Sequence, residues 1–131
     1  MTDEIIKIRF QGEDAETSRR LLASCNRVEI GPENITPRIP GRRGHNIDLD
    51  FFEVVLELLG LLPLDLIIDT LVDYIKKVIE DANEKNEDGK PISVKITIDG
   101  GAPIECRTQD DIEKIENAIR TQLKSKQNKA K

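Results

Sequence analysis

The chain has 131 residues, 34% of them charged and only 3% aromatic, with a formal net charge of −5. That length suits one domain around one core, and the composition requires a core of Ile, Leu and Val. Residues 50–88 hold eleven acids against three bases, an acidic middle that argues against a general nucleic-acid binder, which needs a basic face for phosphates.

Residues 5–10 (IIKIRF) alternate, with Ile6, Ile8 and Phe10 on one side and Lys7 and Arg9 on the other, as in a half-buried strand. A turn at 11–14 leads into a short helix ending near Ala23, with acids first and Arg19 and Arg20 late, an order that complements the helix dipole. Val28–Ile30 and Ile35–Ile39 read as strand-like, but Pro32, Pro37 and Pro40 confine them to an edge or a loop. Residues 41–46 form a polar connector.

Residues 51–68 (FFEVVLELLGLLPLDLII) are the most apolar stretch, with only Glu53, Glu57 and Asp65 charged. At about 25 cal/mol per Å² its burial is worth many kcal/mol, so protein must cover it. Asp50 with Glu53 fits a capping box, and Leu49 with Val54 a hydrophobic staple. Gly60 and Pro63 interrupt the run, which predicts two helices over 50–60 and 63–82, or one sharply kinked helix. Asp65, Asp69, Asp73, Lys76 or Lys77, and Glu80 form a polar stripe on the second helix, and Leu66, Ile67, Leu71, Ile75, Val78 and Ile79 fill much of the rest. A charged loop over 83–90 follows.

Residues 92–98 (ISVKITI) alternate strictly and predict a strand. Asp99-Gly100-Gly101 is a hairpin signal, and Ile104–Arg107 returns with Ile104 and Cys106 inward. Thr108 or Asp110 caps a last helix whose buried stripe is Ile112, Ile115, Ala118, Ile119 and Leu123. The domain is expected over 1–124, with 125–131 a flexible lysine-rich tail. The fold class is α+β: a small, mostly antiparallel sheet with helices packed on one face, including a central apolar helix pair.

The chain presents no evident chemistry. His45 is the single histidine and lies in a glycine-flanked loop, without partners for a metal site or a catalytic pair. Gly41-Arg42-Arg43-Gly44 matches the bare GXXG pattern of nucleic-acid clamps, but Pro40 precedes it and no helix is expected on that side. Cys25 and Cys106 form no C-x-x-C pair and read as small buried thiols in a reducing cytosol. Met1 is followed by Thr2, Asp3 and Glu4, the wrong charge for a signal peptide, so a cytoplasmic location is expected.

The order of elements resembles the effector-associated constant component family of bacterial conflict systems. The resemblance rests on Ile5–Phe10 leading into Gly12–Glu16 and a helix, the hydrophobic central helical segment opened by Asp48-Leu49, and the hairpin from Val94 through Gly100 to Ile104 before an amphipathic helix opened by Asp110-Asp111. It implies a small α+β module with no catalytic residues that links an effector, such as a protease, to a sensor or nucleotide-hydrolysing component.

The expected function is therefore a non-catalytic protein-interaction adaptor that needs no cofactor or metal. Its contact surface is expected at Phe51, Phe52, Val55, Leu58, Leu59 and Leu62, with Arg38, Arg42 and Arg43 steering a protein partner or a second copy. Two alternatives stand beside it. One is a small metal-dependent or nucleotide-binding enzyme using Asp65, Asp69 and Asp73. The other is a membrane component anchored through 51–68, disfavoured by the cost of its embedded acids.

Overall fold

The computed structural model describes residues 4–31, 33–39, 51–60, 62–84, 92–107 and 111–129. Its elements are β1 (Glu4–Gly12), α1 (Ala15–Arg27), β2 (Ile35–Arg38), β3 (Phe52–Leu58), α2 (Leu64–Glu84), β4 (Val94–Ile98), β5 (Ile104–Cys106) and α3 (Ile112–Lys129). The strands form one five-stranded sheet in the order β2-β3-β1-β4-β5, antiparallel at every pairing. Order and direction of the first four strands match the βαββαβ, ferredoxin-like arrangement, to which β5 and α3 are appended.

One expected element is corrected. Residues 50–60 were assigned to the first helix of an apolar pair, but Phe52–Leu58 is the strand β3, held between β2 and β1. Phe52, Val54, Leu56 and Leu58 are buried and alternate with half-buried Glu53, Val55 and Glu57. Glu53 and Glu57 stand four residues apart, a spacing that shares a face in a strand as well as in a helix, and so does not distinguish them. The β-branched Val54-Val55 pair and the adjacent phenylalanines favour the pleated surface. Glu53 accordingly faces outward from a strand and caps no helix; Leu49 and Asp50 lie outside the described residues. The break itself is where the sequence places it, since Gly60 has φ +80°, a backbone that favours glycine.

The second half of the apolar segment is helical as expected. Along α2, Ile67, Ile68, Leu71, Tyr74, Ile75, Val78, Ile79 and Ala82 form one buried stripe at helical spacing. It lies between α1 and α3, and all three pack on the same side of the sheet. The inward row from the sheet is Ile6, Ile8 and Phe10 of β1, the alternate residues of β3, Val94, Ile96 and Ile98 of β4, and Cys106 of β5. Phe10 and Phe52 are register partners, and their rings stack with centroids 5.3 Å apart. The hydroxyl of buried Tyr74 donates to the Cys25 carbonyl at 3.0 Å, tying α2 to α1. Helix α3 continues to Lys129, through residues the sequence assigned to a flexible tail.

Two turns fix the layers. Asp99 (φ 48°) and Gly100 (φ 76°) occupy the centre of a turn closed by the Gly101 N–H to Ile98 carbonyl bond at 2.9 Å. Positive φ at both central residues is the type I′ geometry that suits a twisted hairpin. At the other end of β1, Asp14 caps α1, accepting from the Thr17 N–H at 2.7 Å, and this bond holds the Asp14 carboxyl below its ordinary range. The Gly12 N–H donates to Ser18 Oγ at 3.0 Å, so α1 starts hard against the strand. A Cβ on Gly12 would meet the Ser18 backbone nitrogen at 2.7 Å. Gly12→Ala should therefore cost about 1–3 kcal/mol, read as a lower urea midpoint with an unchanged slope.

Candidate interaction surface

Among the described residues every helix lies on one side, and the other side of the sheet carries only alternate strand residues. Register sets them in rows. Glu57 of β3 pairs with Ile5 of β1, Val55 with Lys7, and Glu53 with Arg9. Arg38 of β2 joins the Val55–Lys7 row, and Thr97 of β4 joins the Glu53–Arg9 row. Arg38 reaches diagonally to Glu57 at 2.7 Å, and Arg9 lies 3.9 Å from Glu53. The Arg9 guanidinium also sits over the Phe51 ring, 4.3 Å from its centroid. Phe51 and Ile5 are 43% and 44% exposed on this face, with half-buried Val55 between them. The surface is thus an apolar trace through a field of both charge signs.

Both sheet edges resist further strand pairing. Leu59 donates to the Asn34 carbonyl directly opposite, so the alternate positions Ile35 and Pro37 direct their nitrogens away from β3. Proline at the second of these leaves the β2 edge one donor short. On the far side, Asp99 donates to Lys7 opposite it, so Val94, Ile96 and Ile98 bond toward β5. Positions 103, 105 and 107 then point outward. Pro103 has no N–H, and the Arg107 N–H is taken by the Asp111 carboxylate at 2.8 Å.

The residues expected to form a contact surface are divided by the sheet. Phe52 and Leu58 are 3% and 2% exposed and belong to the core, so they are withdrawn as surface residues; the strand's alternation turns them under the helices. Phe51 and Val55 lie on the open face, and exposed Leu59 follows β3 on the same parity. Leu62 packs partly buried against the core. Arg38 lies at the edge of the open face, whereas Arg42 and Arg43 fall outside the described residues, as does His45. Ile5, Lys7, Arg9, Glu53 and Glu57 complete the surface. The alternation of 5–10 already turned Lys7 and Arg9 outward, but nothing local places them beside β3.

The acids of α2 do not converge. Asp65, Asp69 and Asp73 are exposed; Asp73 pairs with Lys77 at 3.0 Å and Asp65 lies 3.6 Å from Arg120. Among the described residues no group of three or more His, Cys, Asp or Glu side chains is placed to hold a metal ion. A cleft of about 550 Å³ lies between the end of α1 and β2, lined by Cys25, Asn26, Glu29, Pro37 and Arg38 among others, and holds none of these aspartates. Among the described residues no helix is long and apolar enough to cross a membrane. No protein-family model, curated protein or solved structure matches the chain.

The thiols are sealed. Cys25 and Cys106 are both 0% exposed and neither is in a disulfide. Burial is the first cause that pushes Cys25 up to about 12 and Cys106 up to about 11, from an ordinary 9.0. Burial likewise raises the Tyr74 phenol. A thiol at such a pKa is not a nucleophile at neutral pH. The unfolded chain releases both thiol protons near pH 9.0 while the folded chain keeps them, so stability falls as pH rises from there, through about 11 for Cys106 and about 12 for Cys25. Each thiol should contribute a slope of about 1.4 kcal/mol per pH unit across its window. Denaturant titrations compared with the Cys25→Ala/Cys106→Ala protein, whose profile should be flatter above pH 9, check this.

Proposed function

We propose that this protein is a non-catalytic protein-interaction module and that its contact surface is the uncovered side of the sheet. The observation that carries the reading is the one-sided cover among the described residues: three helices close one face, and the other presents Phe51, Ile5 and Val55 among Arg9, Lys7, Glu53 and Glu57. Aromatic and arginine side chains held together are the usual anchors of protein contacts. The mixed charges suit orientation of a protein partner, and they do not form the single-sign basic surface that nucleic acid demands.

The resemblance of the sequence to the effector-associated constant component family, carried by Ile5–Phe10 and the late hairpin and not by the central segment, which begins as a strand, supports an adaptor that couples an effector to a sensor in a bacterial defence or signalling assembly. Two buried thiols outside any disulfide suit a reducing, cytoplasmic setting. The acids of α2 serve this reading as a solvated helix face.

Affinity capture from the native host with tagged wild type, Val55→Lys and Asp69→Lys chains tests the assignment. Wild type and the Asp69→Lys variant should retain the same bound proteins, and the Val55→Lys variant should lose them while keeping its melting temperature within a few degrees. Equal retention by the Val55→Lys variant would overturn the proposal.

A further inference from the structure

We infer that the occupant of the open face is a second copy of this chain, docked sheet against sheet about a two-fold axis parallel to the strands. This rests on the interaction reading above and names its partner. The basis is the register of β1 and β3. Their outward side chains are complementary across the pair: β1 offers Lys7 and Arg9, and β3 offers Glu53 and Glu57. Arg9 and Glu53 stand at the same height along neighbouring antiparallel strands. An axis running between those strands, above the sheet, carries β1 of each copy over β3 of the other. Arg9 then meets the second copy's Glu53 twice, and Lys7 lies over the second copy's Val55 and within reach of its Glu57. A two-fold contact must be self-complementary, and this pattern is.

Two other surfaces among the described residues fit a second copy less well. The exposed side of α2 carries Asp65, Asp69 and Asp73 with Lys76 and Lys77 at one end, and Lys77 is already paired with Asp73 at 3.0 Å, so it offers no row of charges complementary to its neighbour's as β1 and β3 do. Edge-to-edge pairing is opposed by Pro37 on β2, and by Pro103 and the Asp111-capped Arg107 N–H on β5. Face-to-face stacking of sheets uses neither edge.

Size sets the strength. Seven residues of β3 and five strands make a face about 24 Å by 20 Å, so the contact buries roughly 1,000 Å² in total. That is the low end for a specific interface, so the dimer should be a reversible one with a dissociation constant of about 1–100 µM.

Light scattering and sedimentation of the purified chain over a range of concentrations test this. The wild type should pass from the mass of one chain to two, and added salt should weaken the dimer. Arg9→Glu and Glu53→Arg should each weaken it at least about tenfold, and the double exchange should restore it. Val55→Lys, set against Lys7 of the other copy, should also dissociate it without changing the fold by circular dichroism. The intrachain Arg9–Glu53 contact affects melting but not mass, so mass separates the two roles. A wild type of one-chain mass at every concentration, a dimer indifferent to both single exchanges, or a double exchange that fails to restore association each overturns the inference. A monomeric wild type whose bound proteins are still lost on Val55→Lys overturns only the second copy; loss of neither overturns the interaction reading as well.

Discussion

Phe52, Val54, Leu56 and Leu58 all point from β3 into the helical layer, and the rest of the molecule depends on that alignment. A slip of one residue would turn the whole row to water and carry Glu53, Val55 and Glu57 into the core. Burying two carboxylates without partners would cost far more than the strand's own hydrogen bonds return. The register is therefore held by side-chain burial. It is reinforced where Phe10 and Phe52 stack across the β1–β3 pair. Because β3 is interior, the same alignment dictates which residues of β1 and β2 share the outer rows.

Covering only one side of the sheet follows from the same supply of apolar residues. Helices α1 and α3 meet the sheet and α2 with narrow stripes, Leu21 and Cys25 in one and Ile115, Ile119 and Leu123 in the other. Their remaining sides are polar, and α2 fills the middle. No second helical layer is available among the described residues to close the far side. That side is instead made tolerable to water by charge, with Lys7, Arg9, Glu53 and Glu57 around Ile5, Val55 and Phe51. In the proposed pairing such a face meets opposite charges on the second copy, which a uniformly charged face could not do.

Much of this was legible in the residues themselves. The strict alternation of 5–10 and 92–98, the Asp99-Gly100 turn, the stripe of α2 and that of α3 each report a local preference that packing reinforces. Prolines confine the 35–39 region to an edge or a loop, and β2 is an edge strand. The failure at β3 is equally instructive. Seven residues rich in Leu, with carboxylates four apart, satisfy helical and extended spacing at once, and an acid at position 50 supplies a plausible cap. What decides is the neighbour: β3 fills the place between β1 and β2. Two of the six apolar residues expected at the contact surface fell with that element, since Phe52 and Leu58 move to the core while Phe51 and Val55 stay outside. The Arg9–Phe51 contact lies beyond any reading of spacing, because it needs the register of two strands more than forty positions apart.

The edges and the face of the sheet obey opposite constraints, and together they specify how the molecule can associate. An open strand edge is indiscriminate: backbone donors and acceptors recur at every residue, whatever the sequence. Here Pro37, Pro103 and the bond from Arg107 to Asp111 remove donors at both edges. A face reads side chains and can discriminate, because Arg9 opposite an acid and Arg9 opposite a base differ in sign. Under the proposed association, blocked edges and an open face direct contact to the rows of β1 and β3. The chemistry of the chain agrees with that division: its thiols are sealed, its α2 acids are spread in solvent, and its most differentiated side chains stand where another protein can meet them.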